Sequence, residues 1–419
     1  MSNWPISSLK GKLFIKHGFP FKSEFFTNEV TDYIVLTPGN FYEEGGFKSQ
    51  VGKEKYYTGD VPQGYLHKAG DLIVAMTEQA AGLLGSCARV PKSDHYLHNQ
   101  RLGLITTDPE KLLVEYVYHL FKTKSVREQI RLTSSGSKVK HTSPERIYDV
   151  KVPLPDVIEQ KKILKVLDDL ESKINLNRRI SSELEQIAKT IYDYWFIQFD
   201  FPDLSNRPYK KSGGKMIYNK TLRHEIPEGW EVKKLGKVVK TSLGGTPSTK
   251  NAEYWDNADI PWLNSGEVAN FPIIGSEENV TLSGLGNSAA ELMPKGSVVL
   301  SIVRHLRVSI LAIDAAFNQS VVGLRETETL KNGFLYPYLS RELPRLMSLR
   351  TGAQQPHINK GIVDDSNIII PKEDVLKEYY KIIEPIFEKI NVVSLESKKL
   401  EELRDWLLPM LMNGQVTVK

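Results

Sequence analysis

The sequence predicts an α+β fold: two mixed α/β globular units separated by two long helices that pair as an antiparallel coiled coil, giving a pseudo-two-fold internal repeat. Three observations predict it. Two loop passages, SGSKVKH (135–141) and TGAQQPH (351–357), superpose at one offset, with Gly136 over Gly352 (352 − 136 = 216) and His141 over His357. A heptad pattern follows each passage in that same register. Each pattern is entered through an extended segment ending in proline, VKVPLP (150–155) and NIIIP (367–371), and Pro155 and Pro371 keep the offset of 216.

Self-similarity at a long period is the first guide to architecture. The first seam runs through Ile163, Leu167, Leu170, Ile174, Leu184, Ala188, Ile191 and Trp195 in alternating steps of four and three, with polar Asn177 and Ser181 inside it. Adding 216 gives Tyr379, Ile383, Ile386, Ile390, Val393, Ser397, Leu400, Arg404, Leu407 and Leu411. Two matched seams in one chain predict helices that pack on each other; the competing reading is that each helix covers only its own core. Proline at the entry of each helix is harmless. Pro385 lies inside the second and predicts a bend or a break.

The elements in order are a first globular unit (1–152), a long helix (153–200), a linker rich in proline, glycine and charge (201–228), a second globular unit (229–371) and a second long helix (372–413). In the first unit GDLIVAM (70–76) has the apolar run of a strand and PEKLLVEYVYHLFKT (109–123) has helical spacing; KGSVVLSI (295–302) and NGFLYPYLSREL (332–343) take those places in the second. The dipeptide Asn99-Gln100 returns as Asn318-Gln319 at an offset of 219, and the openings NWPISSLKGKL (3–13) and GWEVKKLGKV (229–238) correspond loosely.

Composition narrows the functional classes. At 419 residues, 40% hydrophobic and 25% charged, the chain has the makeup of a globular protein of more than one domain. Cys87 is the single cysteine, which excludes an intrachain disulfide or a cysteine-built zinc site. The first residues lack the apolar core of a signal peptide and no run of about 18 apolar residues occurs, so the cytoplasm is the expected location and no membrane association is expected. No dinucleotide or phosphate-loop glycine signature, HExxH or nucleophile elbow is present, and LGGTPST (243–249) lacks the lysine that reaches phosphates. No catalytic residue and no metal site is assigned.

Binding is what remains. A net charge of +4 is mild, but Lys122, Lys124, Arg127, Arg131, Lys138 and Lys140 stand against the lone acid Glu128 between positions 122 and 141. Such a local excess draws phosphates through counterion release. Arg341, Arg345 and Arg350 make a thinner stripe in the second unit, and the linker carries Arg207, Lys210, Lys211, Lys215, Lys220 and Arg223. Gln354 and Gln355 beside Gly352 have the planar amides that read adenine edges. The plainer readings are a solvated face for each stripe, a tight turn for Gly352 and structural roles for His141 and His357.

Several stretches carry a resemblance: GFPFKSEFF (18–26), GGTPSTKNAEYWDNADIPWLNSGEV (244–268), TGAQQPHI (351–358) and PLPDVIEQKKILKVLDDLESKI (153–174). With the tandem arrangement, the chain resembles the specificity subunits of type I restriction-modification systems over nearly its whole length. The resemblance implies that each globular unit is a target recognition domain reading half of a split DNA site, with the helices as spacer. It implies double-stranded DNA, two modification subunits per chain and restriction subunits as partners. S-adenosylmethionine, ATP and Mg belong on those partners, and no cofactor on this chain. The adenine-holding motifs NPP[YF] and DPPY do not occur. The candidate DNA-binding set is Lys22, Ser23, Lys122, Lys124, Arg127, Lys138, Lys140, Thr246, Ser248, Arg304, Arg307, Gln354 and Gln355. Departures are the SGSKVKH form of the first loop and the second helix's VLKEYYKI (375–382), which lacks EQKKI. The competing functions are an adaptor whose helices bind proteins without DNA reading, and a stand-alone nuclease or methyltransferase, which the missing motifs disfavour.

Overall fold

Each globular part is closed by pairing its first strand with its last. Ile6–Ser8 runs antiparallel to Lys151–Pro153, and Glu231–Lys234 antiparallel to Asn367–Ile370. The loosely matched openings are therefore the same structural element. The computed structural model describes residues 4–50, 52–78, 82–352 and 354–418; Asn3 of the first opening and Ala353 of the second loop lie outside the described residues.

The central sheet of the first part holds β1 (Leu13–His17), β2 (Leu72–Ala75), β3 (Cys87–Arg89) and β4 (Leu102–Thr107) in the order β1-β4-β2-β3, all antiparallel. The second holds β5 (Thr241–Leu243), β6 (Val298–Ser301), β7 (Arg307–Ile310) and β8 (Val321–Leu324) in the order β5-β8-β6-β7. The two orders are one permutation. Strands β2 and β6 are buried on both faces, which explains their unbroken apolar runs. A smaller sheet in each part contains one parallel pair, Tyr33–Leu36 beside Tyr96–His98 and Ile260–Leu263 beside Ala316–Phe317.

The α-helices of more than five residues are α1 (Val114–Leu120), α2 (Lys124–Leu132), α3 (Val157–Tyr192), α4 (Asn332–Ser348) and α5 (Glu373–Met412), and a π-helical turn (Asp193–Ile197) ends α3. Of the bend or break expected at Pro385, α5 shows no break, since the helix is continuous through it. Pro385 sits on the exposed face, where the carbonyl that loses its intrahelical donor is open to water.

The chain divides into two compact units, 1–172 with 400–419, and 173–399, so that each long helix contributes to both. In the first unit Ile163 and Leu167 of α3 pack with Leu408, Leu411 and Met412 of α5. In the second, Ala188, Tyr192 and Trp195 at the end of α3 pack with Tyr379, Ile383 and Ile390 near the start of α5. Within each unit the helix segments are thus antiparallel. Every seam residue is buried or half-buried: Leu170, Leu400 and Leu407 in the first unit, and Ile174, Leu184, Ile191, Ile386 and Val393 in the second, join those just named. Full burial of such a side chain contributes about 1.5–3 kcal/mol. The seam is polar at Asn177, whose buried side-chain amide donates to Glu396 Oε2 at 2.8 Å.

The globular parts dock on these helices through matched polar clamps. Gln160 on α3 accepts from the Leu113 N–H at 2.9 Å and donates to the Lys111 carbonyl at 3.0 Å. On α5 the Tyr380 hydroxyl accepts from the Lys331 N–H at 3.0 Å and donates to the Thr329 carbonyl at 2.9 Å. Gly333 lets α4 approach closely, because a Cβ there would lie 2.5 Å from Ile383. Among the described residues no helix is long and apolar enough to cross a membrane.

Candidate nucleic-acid interface

Glycine with a positive φ closes both repeated loops. Gly136 has φ +98° and Gly352 φ +97°, in the region that side chains disfavour. Ser135 and His141 exchange two backbone hydrogen bonds (2.9 and 2.8 Å), as do Thr351 and His357 (both 2.9 Å). Each loop is then tied to the same end of its central sheet. His141 pairs with Thr77 just beyond β2, and His357 with Val303 just beyond β6. The next residues follow suit: the Thr142 N–H donates to the Met76 carbonyl and the Ile358 N–H to the Ile302 carbonyl, each at 3.0 Å.

In the second unit this end gathers residues far apart in sequence. The β6–β7 hairpin tip carries exposed Arg304, His305 and Arg307. Arg304 is held at φ +59°, a strained conformation for a non-glycine residue. Its N–H donates to the Pro356 carbonyl at 2.8 Å and its carbonyl accepts from Arg350 Nη1 at 2.7 Å. Buried Ser301 clamps the tip by donating to the His305 carbonyl at 2.8 Å and accepting from the Arg307 N–H at 2.9 Å. Gln354 and Gln355 are exposed on the adjoining loop. Thr246, just past β5, donates to Gln319 Oε1 at 2.6 Å, and Ser248 is exposed two residues on. Strand topology therefore brings Thr246, Arg304, Arg307, Gln354 and Gln355 to one sheet end, a surface of cations and planar amides.

The first unit differs in what it exposes. Lys124, Arg131 and Lys138 are exposed and Lys140 is half-buried. Two members of the sequence-derived set are committed elsewhere. Lys122 is 15% exposed, with Nζ 3.0 Å from Glu171 Oε1 and 4.1 Å from the Tyr118 ring centroid. Arg127 gives its guanidinium to backbone carbonyls of Leu84 (2.9 Å), Glu43 (3.0 Å) and Gly82. These contacts hold both side chains within the unit. Lys22, 3.8 Å from Glu24, and Ser23 are exposed at a short 3-10 turn preceding the smaller sheet.

Among the described residues His119, Asp168 and Glu171 bring ligand-type atoms within 4.8 Å of one another. Cations already neutralise them: Lys122 pairs with Glu171, and Arg89 lies 4.0 Å from Asp168. Burial holds the His119 pKa below its ordinary value, and the His119 contact holds the Asp168 carboxyl low. The cluster anchors α1 to α3.

A sequence model described as "Type I restriction modification DNA specificity domain" matches residues 1–186 and 227–404. The chain belongs to this family. The type I restriction enzyme MjaIX specificity subunit of Methanocaldococcus jannaschii is 29% identical over 310 residues, covering 73% of this chain and 69% of that one. The HindI specificity subunit of Haemophilus influenzae is 24% identical over 380 residues, covering 77% and 82%. The crystal structure of a type I restriction-modification S subunit from M. genitalium aligns with a TM-score of 0.55 at 15% identity, covering 98% of this chain and 96% of that one, and so shares its fold. This specificity subunit thus presents duplicated sheet ends. Sequence reading noted the Asn-Gln repeat without placing it, and found neither Ser301 nor the hairpin-bracing role of Arg350, because both act through backbone groups that no spacing rule reveals.

Proposed function

We propose that this specificity subunit recognises a bipartite DNA sequence, each globular unit reading one half through its loop-bearing sheet end, while the long helices set the distance between halves. The observation that carries the reading is the pair of equivalent glycine-closed loops, each fixed to the same end of the same four-stranded sheet. In the second unit, amides and guanidinium groups supply base contacts and cations supply phosphate contacts. The first unit, with exposed lysines, leans toward phosphates. The 36 residues of α3 span about 54 Å, against about 34 Å for a turn of duplex.

Two modification subunits dock on the chain and restriction subunits join them. S-adenosylmethionine, ATP and Mg act on those partners, which methylate adenine and cleave, and this chain performs no chemical step. Exposed Leu403 and Trp406 on α5, 41% and 57% accessible, are three residues apart on one helix face and offer partners an apolar contact. Electrophoretic binding with the modification partner present, at stated salt, tests the reading. Selection of particular duplexes from a random pool is the expected result; equal affinity for all would favour an adaptor that reads no sequence.

A further inference from the structure

Asn99-Gln100 and Asn318-Gln319 sit in one frame built twice. Asn99 Oδ1 accepts the Arg101 N–H and Asn318 Oδ1 the Ser320 N–H, each at 3.0 Å. The Leu102 N–H returns to the Asn99 carbonyl at 2.9 Å and the Val321 N–H to the Asn318 carbonyl at 3.1 Å. A neighbouring glycine presses on each turn: a Cβ on Gly18 would lie 1.8 Å from the Asn99 carbonyl oxygen, and one on Gly244 2.3 Å from that of Asn318. The asparagine in each pair is half-buried and spent on the turn. The glutamine is exposed in both.

Around these glutamines the two sheet ends have diverged. GSKVK in one loop stands where GAQQP stands in the other, and the turn after β2 is longer than the turn after β6. Gln100 and Gln319 are the same side chain on the same backbone frame at the same end of the sheet. One side chain on a matched backbone turn is placed to meet the same base in both units. Its amide N–H groups can donate to phosphate, but only at a base edge do both of its ends find partners, as with adenine N6 and N7 in the major groove.

We infer that Gln100 and Gln319 are the paired contacts to an adenine that the two half-sites have in common, while the loops carry what distinguishes them. This rests on the recognition reading above. In the second unit the Thr246 hydroxyl holds Gln319 Oε1 at 2.6 Å, which leaves a second lone pair on that oxygen and both amide hydrogens for the base.

The test is selection of bound duplexes from a randomised pool by the full chain with its modification subunit, for the wild type and for Gln100→Ala, Gln319→Ala and Gln319→Glu. Each alanine variant should lose roughly tenfold or more in discrimination at one A·T position, in one half-site only, with different halves affected. Gln319→Glu should shift that position from adenine toward cytosine, because a carboxylate accepts from the cytosine amino group; loss of a merely structural hydrogen bond would not change the chosen base. Thermal unfolding matching the wild type confirms that the variants are folded. A wild type that selects a bipartite sequence while the variants keep every base preference overturns this inference alone. A wild type without preference overturns the recognition reading and this inference with it.

Discussion

Gln160 and Tyr380 are unlike residues that perform one task. Each accepts the N–H of a residue entering a docking helix and donates to the carbonyl two positions earlier, Leu113 and Lys111 for Gln160, Lys331 and Thr329 for Tyr380. The EQKKI stretch of the first helix and the EYYKI stretch of the second are therefore two solutions to the same docking, and their difference in sequence carries no difference in that clamp.

Because Gln160 is fully buried and Tyr380 nearly so, removing either clamp strands backbone groups away from water. Gln160→Leu and Tyr380→Phe should each lower stability by about 1–3 kcal/mol, read from urea midpoints of the full chain. Unchanged midpoints would mean that water replaces the clamps.

The Gln354→Ala, Gln355→Ala double variant should relax recognition at one half-site and spare the other, measured by affinity for duplexes altered in one half at a time. Equal weakening of both halves would make the loop a positioning element.

Gly352→Ala forces a side chain into φ +97° and should cost about 1 kcal/mol or more while weakening the same half-site as the glutamine variant. Full retention of that half-site's affinity would show that the loop's shape is not what presents Gln354 and Gln355.

Acid should loosen the first unit. Burial, and then the neighbouring His67, hold the His98 pKa at about 3, and burial lowers that of His67. Between an unfolded value near 6.5 and the depressed native value, the unfolded chain binds protons that the native chain does not, so stability is present above that window and is lost as pH falls through it. His98 contributes a slope of up to about 1.4 kcal/mol per pH unit, and His67 acts in the same direction. His98→Gln should flatten the fall between pH 6.5 and 5; an unchanged slope would remove His98 from the account.

The repeat and the seams were legible because a Gly-to-His loop and a heptad leave fixed intervals in the sequence. The candidate interface was half legible. Gln354, Gln355, Arg304 and Arg307 stand out as exposed residue types, and the structure brings them to one sheet end. Lys122 and Arg127 count as cations in a stripe, yet a carboxylate on α3 and three backbone carbonyls claim them, and such partners become visible only after folding. Pro385 does not break α5; its exposed placement leaves the carbonyl that loses its donor open to water.

The central claim, one half-site per globular unit, is tested most directly by mapping methylated adenines in cells expressing this chain with its modification subunit, before and after the loop residues Gln354 and Gln355 are changed. The account predicts a motif of two short specified blocks with a gap of constant length, and a change confined to one block. A single contiguous motif, or simultaneous change in both blocks, would contradict it.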